Sequence, residues 1–294
     1  MDKKSFLKSA KYGLRWLPDE VFIKLYCRLR MHKSCDLKNP STYNEKLQWL
    51  KLHDRNPLYT NMVDKVESKK IASAIIGEEC IIPTLGVWDS FDEIDFEKLP
   101  DRFVMKCSHD SEGLVIVSDK SELDMAAARK KIEAAMKCNF FYIGREWPYL
   151  NVGPRILAET YMEDSRCGEL RDYKFFCFDG EPKMMFVASG RSIGETKFDY
   201  YDLDFNHLNL VQHYPNACKP IRKPDTFDEM IVAARKLSAG FPHVRIDFYE
   251  VDGKMYFGEY TFYHFSGFMP FEPPEWDAVL GDWINLPSLG CESR

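Results

Sequence analysis

The sequence predicts an α+β fold of two or three packed subdomains, with helices leading and strands dominating the second half. Three observations predict it. Apolar residues recur at helical spacing through residue 76 and again over 122–137 and 227–239. From Arg155 onward, short runs rich in aromatic and β-branched residues take over, separated by turn residues such as Asp179-Gly180. The chain has 294 residues, 45% hydrophobic and 14% aromatic, enough to bury more than one core. No internal repeat, low-complexity tract or linker interrupts it.

Taken in order, the first helix is expected over 17–31. Leu17, Val21, Leu25 and Leu29 recur every fourth residue, and Pro18-Asp19-Glu20 suits a first helical turn. The other side of this helix is basic. That side is either a solvated capping face or a surface that meets anionic lipid or a lipid-linked substrate. A second helix over 43–53 stops near Asn56-Pro57, because the residue before proline disfavours helical geometry. A third over 61–76 is closed by Gly77. Strands follow at 85–87, 103–107 and 114–117, and Ser121 is expected to cap a helix over 122–137. Strands at 156–161, 173–178, 183–189 and 197–202 come next, the middle two joined by a hairpin at Asp179-Gly180. A helix over 227–239, strands at 243–250 and 255–261, and a stiff loop at Pro270–Pro274 complete the series.

Composition excludes several classes. Forty basic against 46 acidic residues give a net charge of -6, with no general signal for nucleic-acid binding. Residues 1–33 are the local exception, with nine lysines and arginines against three acids. Nine cysteines stand at irregular intervals without a C-x-x-C pair, so neither a zinc framework nor a disulfide scaffold is expected, and the thiols are expected to be reduced. There is no signal-peptide pattern and no apolar run near the ~20 residues that span a bilayer. A soluble cytoplasmic protein is expected.

The chemistry concentrates in three places. Val244-Arg245-Ile246-Asp247-Phe248 and Phe257-Gly258-Glu259-Tyr260-Thr261 form a hairpin in which Asp247 and Glu259 are set among apolar residues and need partners. A two-residue turn at Asp252-Gly253 would put them on opposite faces. A three-residue loop with Gly253 left-handed would put them on one face, and this is the expected arrangement. Two converging carboxylates make a hard-cation site completed by substrate phosphates; the alternative is a solvated edge or an ion pair with Arg245. In the second place, Lys106 sits inside the apolar strand Phe103–Cys107, just before the polar loop Ser108-His109-Asp110-Ser111-Glu112-Gly113. Its ammonium needs an anion, for which a nucleotide phosphate is one candidate, or must reach water from an edge strand. The loop is neither a Walker motif nor a G-x-G-x-x-G. The third place is the strand Ile156–Tyr161, which runs through Glu159, Thr160, Tyr161 and Met162 to Glu163-Asp164 and offers backbone groups to an adenine ring and an acid to a ribose. No Ser/His/Asp or Cys/His arrangement stands out, and His109 is the histidine within the candidate loop.

This order of lysine strand, glycine-closed loop, acid-bearing hinge strand, second lysine strand, R-x-D strand and glutamate strand resembles the ATP-grasp superfamily. Within it the chain is most similar to the TupA-like branch, associated with teichuronopeptide and capsular polysaccharide synthesis. The resemblance covers about residues 43–287. It includes Ser41-Thr42-Tyr43-Asn44-Glu45-Lys46-Leu47, Asp64-Lys65, Ile82–Gly86, Arg145-Glu146-Trp147-Pro148-Tyr149, Asp172-Tyr173-Lys174-Phe175 and Gly258–Phe262.

The resemblance implies an ATP-grasp fold with the nucleotide held between two α+β subdomains. Residues 1–60 would be an N-terminal helical segment, 61–154 the central and first subdomains, and 155–294 the second subdomain with the metal site. It implies ATP and Mg2+ as cofactors. Lys106 and Lys174 would contact phosphates, and the loop carrying Ser108, Ser111 and Gly113 would close over them. The backbone of Thr160, Tyr161 and Met162 would hold adenine, with Glu159 near its amine and Asp164 or Glu163 near ribose. Asp247, Glu259 and Thr261 would hold the metal, Thr261 standing where the superfamily often has Asn. Arg245 would neutralise the transferring phosphoryl group. Arg145, Arg191, Ser266 and Gly267 would face the substrate, with Phe265 where a small residue is expected.

The activity so implied is a carboxylate–amine ligase: ATP phosphorylates a carboxylate, on a uronic acid of a nucleotide- or lipid-linked sugar or on an amino acid, and an amine attacks the acyl phosphate. Three alternatives stand beside it. A glycan kinase would use His109 or Asp110 as base. A glycosyltransferase would use a D-x-D such as Asp202-Leu203-Asp204. A non-catalytic scaffold of a polysaccharide assembly complex would have kept only the fold.

Overall fold

The computed structural model describes residues 11–110, 113–191 and 193–288. Helix α1 (Asp19–Met31) stops where His32 turns left-handed. Its apolar stripe is reversed from expectation. Val21, Leu25 and Leu29 are 49%, 41% and 60% exposed, and Trp16 just ahead of them is 74% exposed. Phe22, Ile23 and Cys27 are buried instead, against Leu37 and Phe268. This helix has apolar residues on two sides, and the partner surface chose the more aromatic one. The turn at His32 also brings Cys27 and Cys35 to 6.2 Å between Cα atoms, where they form a disulfide. This corrects the expectation of uniformly reduced thiols; an eight-residue spacing carries no motif that would have announced the pair.

Helix α2 (Tyr43–His53) opens with a capping box, in which the Thr42 side chain and the Glu45 carboxylate each accept the other's backbone N–H. The expected helix over 61–76 is two helices, α3 (Leu58–Val63) and α4 (Glu67–Ile76). Asp64 breaks it, its Oδ1 accepting the Val66 N–H at 2.8 Å and its Oδ2 holding Arg155 at 2.7 Å. The break frees Lys65, whose ammonium reaches the Asp110 carbonyl at 2.7 Å.

Strands β1 (Thr84–Trp88), β2 (Phe103–Cys107), β3 (Leu114–Val117) and β4 (Ile156–Thr160) form an antiparallel sheet of order β1-β4-β2-β3. Helix α5 (Met125–Met136) packs on it through Ala128, Ile132 and Ala135, and is capped by Asp124 rather than Ser121. A short helix α6 (Phe141–Gly144) follows.

The second sheet is larger. Strands β5 (Asp172–Phe178), β6 (Glu181–Ser189), β7 (Lys197–Tyr201), β8 (His243–Val251) and β9 (Lys254–Thr261) lie in the antiparallel order β7-β6-β5-β8-β9. Asp179-Gly180 joins β5 and β6, as expected. The main core gathers on this sheet, with α2, α3, α4, helix α7 (Phe227–Leu237) and helix α8 (Glu275–Asp282) contributing to it.

The hairpin of β8 and β9 reaches the expected result by a different route. Val251 pairs with Lys254, so the turn has two residues, with Asp252 at φ 51° and Gly253 at φ 78°. Both are left-handed, as a type I′ turn requires, and the three-residue loop is not formed. The face is restored further along by a bulge. Phe248 pairs with Phe257 and Asp247 with Glu259, leaving Gly258 without an opposite number. A Cβ on Gly258 would lie 3.0 Å from the Asp247 carbonyl oxygen, which is why the extra residue is glycine.

Candidate functional site

A cleft of about 620 Å³ opens between the two sheets. Its walls carry Lys106, Gly113, Leu114 and Glu159 from the smaller sheet and its loop, and Asp172, Lys174, Arg245, Glu259 and Thr261 from the larger one.

The floor is an ionic network at the β5–β8–β9 junction. Lys174 and Asp247 are cross-strand partners, as are Asp247 and Glu259. The Arg245 guanidinium grips Asp247 in a fork, Nε to Oδ1 at 2.7 Å and Nη2 to Oδ2 at 2.8 Å, and also donates to Thr261 Oγ1 at 3.0 Å. Lys174 donates to Asp247 and pairs with Asp172 at 3.0 Å, and Asp172 in turn holds Arg191 at 2.9 Å. Burial alone would raise the Asp247 carboxyl. The charges of Arg245 and Lys174 overcome this and hold it at about 2. Glu259 differs in being 39% exposed on the cleft side.

The opposite wall repeats the pattern. Lys106 and Lys69 both pair with the buried Glu159, Lys69 at 2.5 Å, and together they overcome its burial and hold it at about 2. Lys65 and Asp110 line the cleft beside them.

Several expected residues are placed elsewhere. His109 is buried, its Nε2 facing the Ala135 and Cys138 carbonyls at 3.3 and 3.1 Å, and burial lowers its proton affinity. It is not on the cleft wall, so the kinase alternative loses one of its two candidate bases. Ser108 is fully buried, bonded to the Gly153 carbonyl and the Arg155 N–H. Ser111 lies outside the described residues. The hinge residues Thr160, Tyr161 and Met162 border the smaller sheet without lining the cleft. Asp164 builds a turn rather than facing a ribose, accepting the Asp252 N–H at 3.1 Å and Cys167 Sγ at 3.2 Å. Arg145 also departs from expectation. Its guanidinium stacks 4.5 Å over Phe22 and bonds the Leu14 and Leu17 carbonyls, fastening the N-terminal segment instead of facing a substrate. Ser266 lines the cleft, and Gly267 lies in the same turn.

Three residues escaped the sequence reading. Asp172 was visible only as part of a motif. Glu146 is next to Arg145, and a one-residue difference on an irregular turn decides which of them meets the cleft. His264 accepts from Arg245 through Nδ1 at 2.5 Å and donates from Nε2 to Gln212 at 2.8 Å. Burial and the Arg245 charge keep it neutral, so it orients the guanidinium without competing for it.

As to metal, the donors Glu259 and Asp247 are hard oxygens set side by side, which suits magnesium. Among the described residues no group of three His, Cys, Asp or Glu forms a ready cage, so phosphate oxygens and water would complete the shell. Lys174 or Arg245 would have to release one Asp247 oxygen to the ion.

A cation-rich cleft between two antiparallel sheets, floored by an Arg–Asp–Glu hairpin, is the layout of an ATP-grasp protein. The chain belongs to the TupA-like ATP-grasp family, whose profile it matches over residues 45–285. No curated protein matches it. Similar solved structures include D-alanine–D-alanine ligase from Bacillus anthracis complexed with ATP, at 17% identity over 68% of this chain and 53% of that one, with a TM-score of 0.39. The ATP-grasp ligase PsnB complexed with minimal precursor is similar at 10% identity, 77% and 60% coverage and a TM-score of 0.41. The D-cycloserine synthetase DcsG is similar at 15%, 70% and 64%, with a TM-score of 0.37. This chain spans less than two thirds of the length of each, and the family assignment rests on the sequence match.

Proposed function

We propose that this chain is an ATP- and magnesium-dependent carboxylate–amine ligase acting through an acyl phosphate, on a uronic acid or similar carboxylate in surface polysaccharide biosynthesis. One observation carries the reading: three cations facing one cleft, Lys106, Lys174 and Arg245, together with the carboxylate pair Asp247 and Glu259. Lysines held by carboxylates are positioned before a phosphate arrives, so they can exchange partners without first being ordered. Lys106 and Lys174 bind the phosphate chain, and Arg245, oriented by Asp247 and His264, neutralises the phosphoryl group in transfer. Glu259 and Asp247 would hold magnesium, which when bound would supply further positive charge toward the phosphates. The cleft walls bring carboxylate and phosphoryl donor together and exclude water from the acyl phosphate.

Within the same proposal the protein is cytoplasmic and meets anionic lipid through the outer face of α1. The exposed Trp16, Val21, Leu25 and Leu29, beside Arg15 and Arg28, support that contact. Among the described residues no helix is long and apolar enough to cross a membrane.

The test is ATP turnover with magnesium, reading ADP and free phosphate separately, over uronic acids and amino acids as carboxylates and a set of primary amines. Phosphate release that needs both carboxylate and amine is expected. ADP with phosphate retained on a sugar would replace the ligase by a kinase.

A further inference from the structure

Resting on the ligase reading, we propose that Glu146, held in place by Ser266, receives the amine substrate: it binds the ammonium group and takes its proton before attack on the acyl phosphate.

Glu146 lines the cleft but belongs to neither the Asp247 network nor the Glu159 network. It is 6% exposed, and Ser266 Oγ donates to its Oε1. The structure commits a great deal to this contact. Phe265, Ser266 and Gly267 have φ of 47°, 54° and 62°, three successive left-handed residues of which two carry side chains. Such strain persists only where the surroundings enforce it, and it clusters at functional sites. The surroundings here are the buried polar residues of α2. Lys51 Nζ donates to the Ser266 carbonyl at 2.6 Å and the Gly144 carbonyl at 2.7 Å, and Gln48 Nε2 donates to the Gly267 carbonyl at 2.7 Å. Position 144 has no room for a side chain, since a Cβ there would lie 2.3 Å from Ser266 Oγ and 3.2 Å from Glu146 Oε1.

A buried carboxylate calls for a cation. Lys51 is the nearest candidate, but its protons already go to Gln48, Gly144 and Ser266. Among the described residues no ion pair reaches Glu146, and it faces the cleft. Tyr149, Phe265 and Phe268, from the same two segments, also line the cleft and offer ring faces to an ammonium. Burial raises the proton affinity of Glu146, with Lys51 opposing, which suits a group that accepts a proton.

The step balances. An alkylammonium has no lone pair for attack. Glu146 takes one proton from it, and the freed pair forms the C–N bond at the acyl carbon. The C–O bond to the phosphate breaks, its electrons leave with phosphate, and phosphate takes the second N–H proton. Ser266 and Lys51 are positioning residues.

The test compares wild type with E146Q and S266A, using MgATP, a set of uronic acids and amino acids, and either methylamine or hydroxylamine. Hydroxylamine is largely unprotonated at neutral pH and needs no base. E146Q is expected to form amide roughly 10²- to 10⁴-fold more slowly while keeping hydroxamate formation within a few-fold. Its residual amide rate should climb about tenfold per pH unit, following free amine. The groups whose charge reaches Glu146 are Lys11, Lys51 and Arg245, with Tyr149 and Tyr263 facing it. S266A should show the same selectivity at smaller size. Retention of both activities in E146Q, or loss of both with the fold intact, overturns the assignment. Neither product from wild type overturns the ligase reading itself.

Discussion

At the scale of single residues, the site is a set of charges that stabilise one another only while complete. Asp247 is fully buried between Arg245 and Lys174. Removing its charge in D247N leaves two cations short of a partner, so a stability loss of about 3–5 kcal/mol is expected in denaturant unfolding. ATP turnover should fall by more than about 100-fold, since the carboxylate that orients Arg245 and is proposed to hold magnesium is lost. Acid acts on the same groups. Asp247 and Glu159 are both held at about 2, below their unfolded values of about 3.9 and 4.3. The unfolded chain therefore binds more protons in this range. The stabilisation is fully present above about pH 4.3 and is lost as pH falls toward 2. Unfolding midpoints measured from pH 5 to 2 should show this fall, and E159Q should flatten part of it. Lys106, Asp247 and Glu259 were legible because a charge in an apolar strand has to be explained, whereas Lys174 and the role of Arg245 came only through the resemblance. Glu146 was not, because nothing in Arg145-Glu146 says which side chain a turn will direct into the cleft.

Among elements, strands were read more surely than turns. β2 and β3 lie where the short apolar runs placed them, and β5 through β9 within two residues of expectation. The break between α3 and α4 was hidden, because the Asp64 carboxylate accepts the Val66 N–H in a turn inside a run with no Gly or Pro. The β8–β9 hairpin was misread at its turn and right in its outcome, because a bulge at Gly258 was invisible to pairing rules. G258A tests that bulge. Its Cβ would press on the Asp247 carbonyl at 3.0 Å and on the Tyr249 ring at 3.2 Å. Turnover should drop at least tenfold with fold retained, and wild-type turnover in G258A would contradict the role given to the bulge. For α1 the expected outcome is binding to vesicles containing anionic lipid and not to purely zwitterionic ones, weakened by salt and by W16A/L29A. Cosedimentation at low salt reads it, and no binding to either vesicle would remove α1 from the lipid contact.

For the whole molecule, the class of fold was legible because the elements fall in a recognisable order. How two sheets face each other was not, since no local pattern encodes a cleft made by residues as distant as Glu146, Lys174 and Ser266. In the proposed ligase, that cleft would bring the phosphoryl donor and the carboxylate within one enclosure. The central claim is that the carboxylate oxygen ends up on phosphate. The most direct measurement uses a carboxylate substrate labelled with 18O at both oxygens, turned over with MgATP and amine, and mass analysis of the released phosphate. The account predicts one 18O atom in each phosphate released. Unlabelled phosphate would mean that ATP was hydrolysed by water and would contradict it.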